Sequence, residues 1–314
     1  MHSLIRLLTI ACLLTAAPAA AAPATDQRIR LVDLTPDFAG AWEKTRDLPD
    51  AERVLAFEAD FAKALPGFYD PMRGPPERAE RFQATVLRGL KRFPDERAGI
   101  EDVSRRFGTM FAPALTSFEA RFGPMSGYPP VYLVDSLGEF DGGTRELPEG
   151  VRLMFGADVI AKIHAKHDIR PFFHHELFHL YHHRFFPECE TVWCGFWVEG
   201  LAVYVAAELN RGATDEDLLL TLPEPIRPAV DAHLSEAVCA VRARLDSRDD
   251  ADKNALFNFK RMNPNLPPRF GYYLGYRVAQ RLGANRSLDD LAHMAPAQVR
   301  PLIDQALGEM ATCP

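Results

Sequence analysis

The stretch FFHHELFHLYHH, residues 172–183, constrains the fold of this chain more than any other segment, because its histidines and large apolar residues follow a helical period. His175 and His179 are four residues apart, so on an α-helix their side chains lie on one face, about 40° apart. The opposite face carries the apolar residues Phe173, Leu177 and Leu180. The stretch predicts a helix over about residues 171–185 that buries one side in a core and turns the other towards a cleft.

The same helix contains a candidate metal site. Glu176 follows the first histidine of the pair directly, and two imidazoles in the order His-Glu-x-x-His can bind one ion while the glutamate projects to the side. A helix with solvated histidines would show the same five residues, so the neighbouring sequence has to decide. We expect His174 and His183 to be solvated or hydrogen-bonded, whereas His182 shares the ligand face and could contact a substrate or an adventitious metal.

A carboxylate in the middle of a strongly apolar segment supports the metal interpretation. Glu199 lies in CGFWVEGLAVYVAAEL, residues 194–209, where an ionised carboxylate is costly unless a cation pairs with it. It follows His179 by twenty residues, enough for one helix to end and a second helix to return. Two histidines and one glutamate leave the fourth tetrahedral position of a zinc ion open, as in catalytic rather than structural zinc sites.

Two other zinc arrangements do not match the sequence. A metzincin places glycine and histidine at the third and sixth positions after the second motif histidine, and this chain has His182 and Phe185 there. The inverted order His-x-x-Glu-His does not occur in the chain. The pair of histidines with a distant glutamate is therefore the arrangement that remains.

The motif and its context resemble a known family. The segments HHELFHLYHH, WVEGLAVY and GYYLGYRV make the chain similar to the gluzincin zinc peptidases, which are thermolysin-like in their ligands, and in particular to a bacterial family of predicted zinc-dependent proteases whose function is unknown. The resemblance covers roughly residues 125–300. It implies that His175, His179 and Glu199 bind one zinc ion and that Glu176 is the general base.

The resemblance also implies a fold and a reaction. The expected fold is α+β and mostly helical, a gluzincin-like zinc peptidase fold with a small sheet beside the motif helix. The expected function is hydrolysis of a peptide or protein substrate by a zinc-bound water that Glu176 activates. A non-catalytic zinc-containing binding protein on a peptidase-like fold is the alternative, in which Glu176 has no obvious purpose. A histidine-rich metal scavenger would scatter or repeat its histidines instead of placing them in one register.

A hydrogen-bond donor for the oxyanion is expected on a later helix. Tyr272 and Tyr276 lie four residues apart in PPRFGYYLGYRVAQRLG, residues 267–283, so either hydroxyl could reach the cleft. The resembling family has tyrosines at both places, and we rank Tyr272 before Tyr276. The alternative is that both tyrosines pack in a core with their hydroxyls hydrogen-bonded.

The N-terminus has the features of a secretory signal peptide over residues 1–22. Arg6 precedes an apolar run over Leu7–Ala16 that is too short to cross a bilayer, and a tail of small residues follows. Cys12 could accept a lipid, but apolar residues continue past it and Thr9 stands where a large aliphatic residue is expected, which disfavours lipidation. We expect an exported protein, periplasmic or secreted, with no integral membrane segment in the mature chain.

Two regions follow the signal peptide. Residues 27–123 repeat apolar residues at three-to-four spacing between Pro/Gly-rich breaks, which predicts helices with a structural role. Residues 124–314 are expected to form the zinc peptidase domain, with a helical C-terminal part. VYLVDS, residues 131–136, and VRLMFGAD, residues 151–158, are predicted strands joined by a turn-rich loop. The second could be an edge strand that aligns an extended peptide, or an ordinary interior strand.

Cysteine and charge content set further limits. Four cysteines follow the signal peptide, and in an oxidising compartment we expect the bridges Cys189–Cys194 and Cys239–Cys313. A metal site at the C-x4-C pair is the alternative, although nothing nearby repeats that spacing. The formal charge of -7 and the lack of a Lys/Arg cluster argue against a nucleic-acid partner.

Overall fold

The computed structural model describes residues 29–61, 63–69, 76–165, 167–186 and 190–313, and the predicted signal peptide, Cys12 and Cys189 lie outside these ranges. The predicted α+β, mostly helical class is confirmed. The strands in chain order are β1 (Leu31–Asp33), β2 (Val131–Val134), β3 (Gly142–Leu147) and β4 (Gly150–Gly156). The helices are α1 (Thr35–Thr45), α2 (Asp50–Phe61), α3 (Pro76–Phe122), α4 (Ala157–Ile163), α5 (Arg170–His182), α6 (Val192–Leu209), α7 (Ile226–Ala232), α8 (Leu234–Arg242), α9 (Asp250–Phe257), α10 (Phe270–Gly283), α11 (Leu288–Ala292) and α12 (Pro296–Met310).

The strands form one mixed sheet in the order β1-β2-β4-β3. β2 runs parallel to β1 and to β4, whereas β3 is antiparallel to β4. The two predicted strands are present as β2 and β4, each a little shorter than the predicted segment at its C-terminal end. Of the two roles considered for the second of them, the structure has the interior one, because β4 lies between β2 and β3.

The prediction of a turn-rich loop between these strands is wrong, because part of that segment is the edge strand β3. Gly142 and Gly143 at its start have low strand propensity and therefore give no strand signal in the sequence. The ladder with β4, which runs from the Gly142–Phe155 pair to the Leu147–Gly150 pair, supplies the hydrogen bonds that hold the segment extended.

The N-terminal region joins the same sheet and the same core. The described residues in the range 27–123 are mostly helical as predicted, but β1 within them pairs with β2. Helix α3 continues for 47 residues through Pro94 and Pro113. Next to it, the buried ring of Phe38 contacts three other phenylalanine rings, with centroid separations of 5.0, 6.0 and 5.2 Å to Phe57, Phe61 and Phe93.

Helix α6 is apolar on all sides and packs between α5 and α10. By length and composition alone it could cross a membrane, but 61% of its 18 residues are buried inside the protein. An all-round apolar helix is also what the centre of a large core requires. Its central acidic residue, Glu199, lies where α6 meets α5.

The predicted disulfide between Cys239 and Cys313 is confirmed, with Cα atoms 5.4 Å apart. It ties the last turn of α8 to the segment that follows α12. Cys194 is also disulfide-bonded, while its predicted partner Cys189 is outside the described residues.

Candidate metal centre

The three predicted metal ligands meet where α5 and α6 pack together. His175 and His179 lie one turn apart on α5, and Glu199 lies on α6. The two histidine Nε2 atoms are 2.9 Å apart, and each lies 3.3 Å from Glu199 Oε2. The candidate ligand atoms all lie within 4.8 Å of one another, so this group could hold a metal ion.

The separations fit a tetrahedral ion. Zinc bonds of about 2.0–2.1 Å to nitrogen and oxygen place neighbouring ligand atoms roughly 3.3–3.4 Å apart at the corners of a tetrahedron. The two separations from histidine nitrogen to glutamate oxygen, 3.3 Å each, match that edge, and the 2.9 Å separation between the nitrogens is shorter. Two imidazoles and one carboxylate form a donor set that suits zinc and leaves one corner for another ligand.

Glu199 and His179 stabilise each other's charged forms. Burial acts to raise the pKa of Glu199, but His179 and His175 outweigh it and hold that pKa well below its usual range. Burial acts to lower the pKa of His179, yet the Glu199 carboxylate raises it to about 9. Burial and the charge of His179 lower the pKa of His175. The group therefore attracts one positive charge at its centre, whether a proton or a metal ion.

Glu176 lies beside the ligand group without belonging to it. Its side chain is buried, and its Oε2 has no hydrogen-bond partner within the part of the chain that the structure describes. Burial raises the pKa of this carboxyl to about 8, against the lowering effect of His179. A carboxyl with this affinity for a proton has the property that a general base or acid needs near neutral pH.

The edge strand β3 passes directly over Glu176. A Cβ atom at Gly142 would lie 2.6 Å from Phe172 Cζ and 3.0 Å from Glu176 Cγ, so a side chain there would press on the glutamate. A glycine inside a strand often marks such a close approach. The Gly142-Gly143 pair is thus the sequence signal that could have placed residues 142–145 at the site.

His174 fixes the rotation of α5 about its axis. Its Nε2 lies 2.8 Å from Ser117 Oγ and 3.0 Å from the Ala114 carbonyl oxygen, both on α3, and its Nδ1 lies 2.7 Å from Asn210 Nδ2. Of the two roles expected for His174, the structure has the hydrogen-bonded one. These contacts join α5 to α3 and to the end of α6, and so hold the next residue, His175, in place.

His182 and His183 differ in their surroundings. The buried ring of His182 is stacked between Phe178 and Phe186, with centroid separations of 5.0 Å on both sides. Burial lowers the pKa of His182 to about 3. His183 is exposed, and both histidines line the same cavity as the ligand group. The candidate metal group found among the described residues includes neither of them.

A glycine contact brings helix α10 against the ligand helix α6. A Cβ atom at Gly200 would overlap the backbone of Gly275, and one at Gly275 would lie 2.6 Å from the Phe196 carbonyl oxygen. Because neither position has room for a side chain, the two helices cross with their backbones in contact. Gly200 directly follows the ligand Glu199, so this crossing sets the distance of α10 from the metal site.

The crossing places Tyr272 beside the ligands. Its ring centroid lies 6.4 Å from that of His175, and the guanidinium carbon of Arg269 lies 4.8 Å from the tyrosine ring. Burial raises the pKa of the Tyr272 hydroxyl, and the Glu199 carboxylate raises it further. The phenol therefore stays protonated and can donate a hydrogen bond to an oxyanion in the cavity.

Tyr276, the second tyrosine predicted to bind the oxyanion, lies away from the cavity. Its ring packs against Tyr273 and Tyr204 at centroid separations of 6.1 and 6.2 Å, and its hydroxyl accepts a hydrogen bond of 3.1 Å from Gln280 Nε2. Each of the two predicted alternatives therefore holds for one tyrosine. Tyr272 lines the cleft, and Tyr276 packs in the core.

A cavity of about 510 Å³ joins these side chains. Its walls are residues 142–145 of β3, the ligand faces of α5 and α6, and the start of α10. The cavity is also lined by three charged residues that the sequence did not predict: Asp141, Arg145 and Arg269. Single charged residues in a loop, an edge strand and a helix cap have no periodic pattern that would reveal them.

Asp141 is paired within the cavity wall. Its Oδ2 lies 3.0 Å from His164 Nε2, and the buried His164 ring packs on Phe172 with a centroid separation of 4.3 Å. Burial acts to raise the pKa of Asp141, but the hydrogen bond with His164 outweighs it and lowers that pKa. Asp141 is therefore ionised, and its charge contributes to the raised pKa of Glu176.

Comparison of the chain with protein-family models, with curated proteins and with solved structures found no match. The chemistry that the cavity allows follows from its own side chains. Two imidazoles and a carboxylate can hold a metal ion, Glu176 can accept a proton, and Tyr272 can donate a hydrogen bond.

Proposed function

We propose that this protein is an exported zinc metallopeptidase of the gluzincin type, a hydrolase of peptide bonds. The observation that carries the proposal is the convergence of His175, His179 and Glu199 with Glu176 beside them, whose buried Oε2 has no hydrogen-bond partner among the described residues. Zinc is the metal of choice because the donor set is two nitrogens and one oxygen at tetrahedral spacing. The resemblance of the three sequence segments to gluzincin peptidases supports the same assignment.

In this proposal the chain's own residues move the protons. Bound zinc would supply Lewis acidity, which polarises a carbonyl and acidifies a water. The Glu176 carboxylate accepts a proton from the attacking water as the new carbon–oxygen bond forms. The same carboxyl then donates that proton to the amide nitrogen as the carbon–nitrogen bond breaks, so the products are a carboxylic acid and an amine. Burial of Glu176 favours this dual role, because it raises the proton affinity of the group.

Two further elements orient the substrate. The Tyr272 hydroxyl donates a hydrogen bond to the oxygen that becomes negative in the transition state. The substrate backbone pairs with the outer edge of β3, since an edge strand presents hydrogen-bonding groups that no neighbouring strand satisfies. Gly142 keeps that strand close enough to Glu176 for a paired peptide to reach the carboxylate.

The proposed export is consistent with the disulfide between Cys239 and Cys313. The predicted signal peptide directs the chain to the periplasm or the medium, and disulfides persist in such oxidising compartments. The bridge between Cys239 and Cys313 supports this localisation. If thiol labelling of the protein in its native host found both cysteines free, that result would contradict this localisation.

The function is tested by turnover. The purified mature protein is stripped of metal with a chelator, reloaded with one equivalent of zinc, and incubated with a mixed peptide library whose products are identified by mass spectrometry. We expect new peptide termini only in the zinc-loaded sample. Stoichiometric zinc binding without any new termini would instead favour a non-catalytic zinc-containing binding protein.

A further inference from the structure

Arg269 occupies an unusual position at the entrance of α10. It is the residue before the helix, with φ 63° and ψ 14°, in the left-handed region that residues with a side chain rarely adopt. Two buried prolines, Pro267 and Pro268, precede it and restrict the backbone further. A long side chain is thus held at a strained position next to the metal ligands, and strain of this kind often lies at functional sites.

The guanidinium of Arg269 has no carboxylate partner within ion-pair distance among the residues that the structure describes. It donates hydrogen bonds to the Leu222 carbonyl oxygen, at 3.4 Å, and to the Tyr272 hydroxyl, and its Cζ lies 4.8 Å from the Tyr272 ring centroid and 5.6 Å from the Phe259 ring centroid. Ring faces attract a cation without using its N–H groups, so the guanidinium donors that are not already hydrogen-bonded remain available for an anion.

Three of the four carboxyl groups that line the cavity are engaged elsewhere, and the fourth, Glu176, forms no ion pair with Arg269 in the described structure. Asp141 is paired with His164, and Glu199 with the two ligand histidines. Asp217 accepts hydrogen bonds from the backbone nitrogen and hydroxyl of Thr214. The partner of Arg269 therefore has to come from outside the described chain, and a carboxylate matches the planar donor pattern of a guanidinium best.

We propose that Arg269 binds a carboxylate of the substrate, so that preferred substrates carry a carboxylate within about one residue of the scissile bond. This rests on the proposed peptidase function. The position follows from two contacts, because the Tyr272 ring adjoins both the Arg269 guanidinium and the His175 ring. The carboxylate is either the C-terminal group of a peptide or the side chain of an aspartate or glutamate.

Binding is measured with a zinc-loaded Glu176→Gln protein, which should hold peptides without cleaving them. The probes are N-acetylated hexapeptides in matched pairs: a free C-terminus against an amide, and glutamate against glutamine at each internal position. Affinity selection with mass spectrometry should show one type of pair in which the peptide with the carboxylate binds about 10- to 100-fold more tightly than its neutral partner. This is the range for a partly buried, charge-assisted contact. The pair that responds identifies the source of the carboxylate.

The role of Arg269 is isolated with Arg269→Gly in the same background. Glycine adopts the left-handed conformation without strain, so the fold and zinc content should be retained. The acidic and neutral peptides of a matched pair should then bind with nearly equal affinity. Arg269→Lys keeps the charge but not the planar donors and should retain part of the preference. The control is Arg281→Met on the outer end of α10, where Arg281 pairs with Glu309 and lies far from the cavity lining.

The inference is overturned if matched acid and neutral peptides bind equally well, if no peptide binds, or if the preference persists in a folded, zinc-loaded Arg269→Gly protein. Its failure is distinguishable from failure of the proposed function. Cleavage of the peptide library by wild type without any carboxylate preference removes only the role of Arg269. A preference that depends on Arg269 without cleavage keeps this role and removes the peptidase activity.

Discussion

The aromatic cluster around Phe38 in the N-terminal region and the cavity around Glu176 both bury side chains, but for opposite energetic reasons. In the cluster, the rings of Phe38, Phe57 and Phe61 pack against each other, and their burial stabilises the fold. In the cavity, the carboxyl oxygen Oε2 of Glu176 is buried without a hydrogen-bond partner among the described residues, which costs stability.

The difference teaches where function is to be expected. A fold keeps apolar contacts because they lower its free energy, whereas it tolerates an unpaired buried polar group only where that group serves a function. Changes in the aromatic cluster should therefore reduce stability and leave metal binding intact in the folded protein. Changes in the cavity should remove metal or activity and leave the stability of the metal-free protein almost unchanged.

The largest effect is expected for Glu199→Ala. Loss of one of three ligands should weaken zinc binding on the order of a thousandfold, because about 10–16 kcal/mol of binding free energy in well-formed sites is divided among a few ligands. Zinc content after dialysis, measured by elemental analysis, checks this. Glu208→Ala, an exposed glutamate on the same helix, is the control and should keep its zinc. Equal zinc content in wild type and Glu199→Ala would remove Glu199 from the site.

Phe57→Ala probes the aromatic cluster. Removing a fully buried ring should lower the free energy of unfolding by about 3–5 kcal/mol, through lost apolar contacts and the cavity left behind. Chemical denaturation measures the loss. Leu55→Ala on the same helix removes a side chain that is 58% exposed and should change stability by less than about 0.5 kcal/mol. Similar losses for both variants would mean that the cluster is not the source of stability in this region.

Much of the candidate metal site could be predicted from the sequence, because its residues lie on helices with a clear period. The i, i+4 spacing places His175 and His179 on one face, and the cost of an isolated carboxylate identifies Glu199 in an apolar helix. The structure brings all three together. Local spacing and burial cost are enough for such residues, since each constraint acts within one helix.

The rest of the cavity could not be predicted, because it depends on contacts between distant segments. Strand β3 forms through pairing with β4 despite its glycines, and the position of Tyr272 depends on the contact between Gly200 and Gly275. A helical period treats Tyr272 and Tyr276 alike, since they lie four residues apart on one helix. Only the crossing angle and depth of that helix decide which of the two reaches the cavity.

Gly275→Ala tests that contact between the two regions of the site. The added methyl group would press on the backbone of α6, so we expect a loss of about 1–3 kcal/mol in the free energy of unfolding, together with slower peptide cleavage as Tyr272 shifts. Gly108→Ala in α3 is the matched control, because its Cβ would meet nothing within 4 Å. That change should stabilise the helix by roughly 0.5–1 kcal/mol. A stabilising effect at both positions would contradict the close crossing.

A smaller effect is expected for Tyr272→Phe. Loss of the hydroxyl should lower kcat/KM for a cleaved peptide by about tenfold, less than a lone oxyanion donor would cause, because zinc would carry much of the developing charge. Steady-state kinetics at equal zinc content give the value. Tyr276→Phe loses only the hydrogen bond from Gln280 and should stay within about twofold of wild type. Equal effects for the two variants would show that the oxyanion is bound differently.

The central claim is that Glu176 performs the chemistry without holding the metal, and Glu176→Gln tests it most directly. The amide keeps the size of the side chain but cannot accept the proton of the attacking water. The measurement is the rate of peptide hydrolysis by wild type and variant at the same zinc occupancy, with unfolding curves for both. We predict a rate lower by about 10²- to 10⁴-fold or more, with zinc content and stability retained. Hydrolysis at the wild-type rate by the zinc-loaded variant would contradict the account.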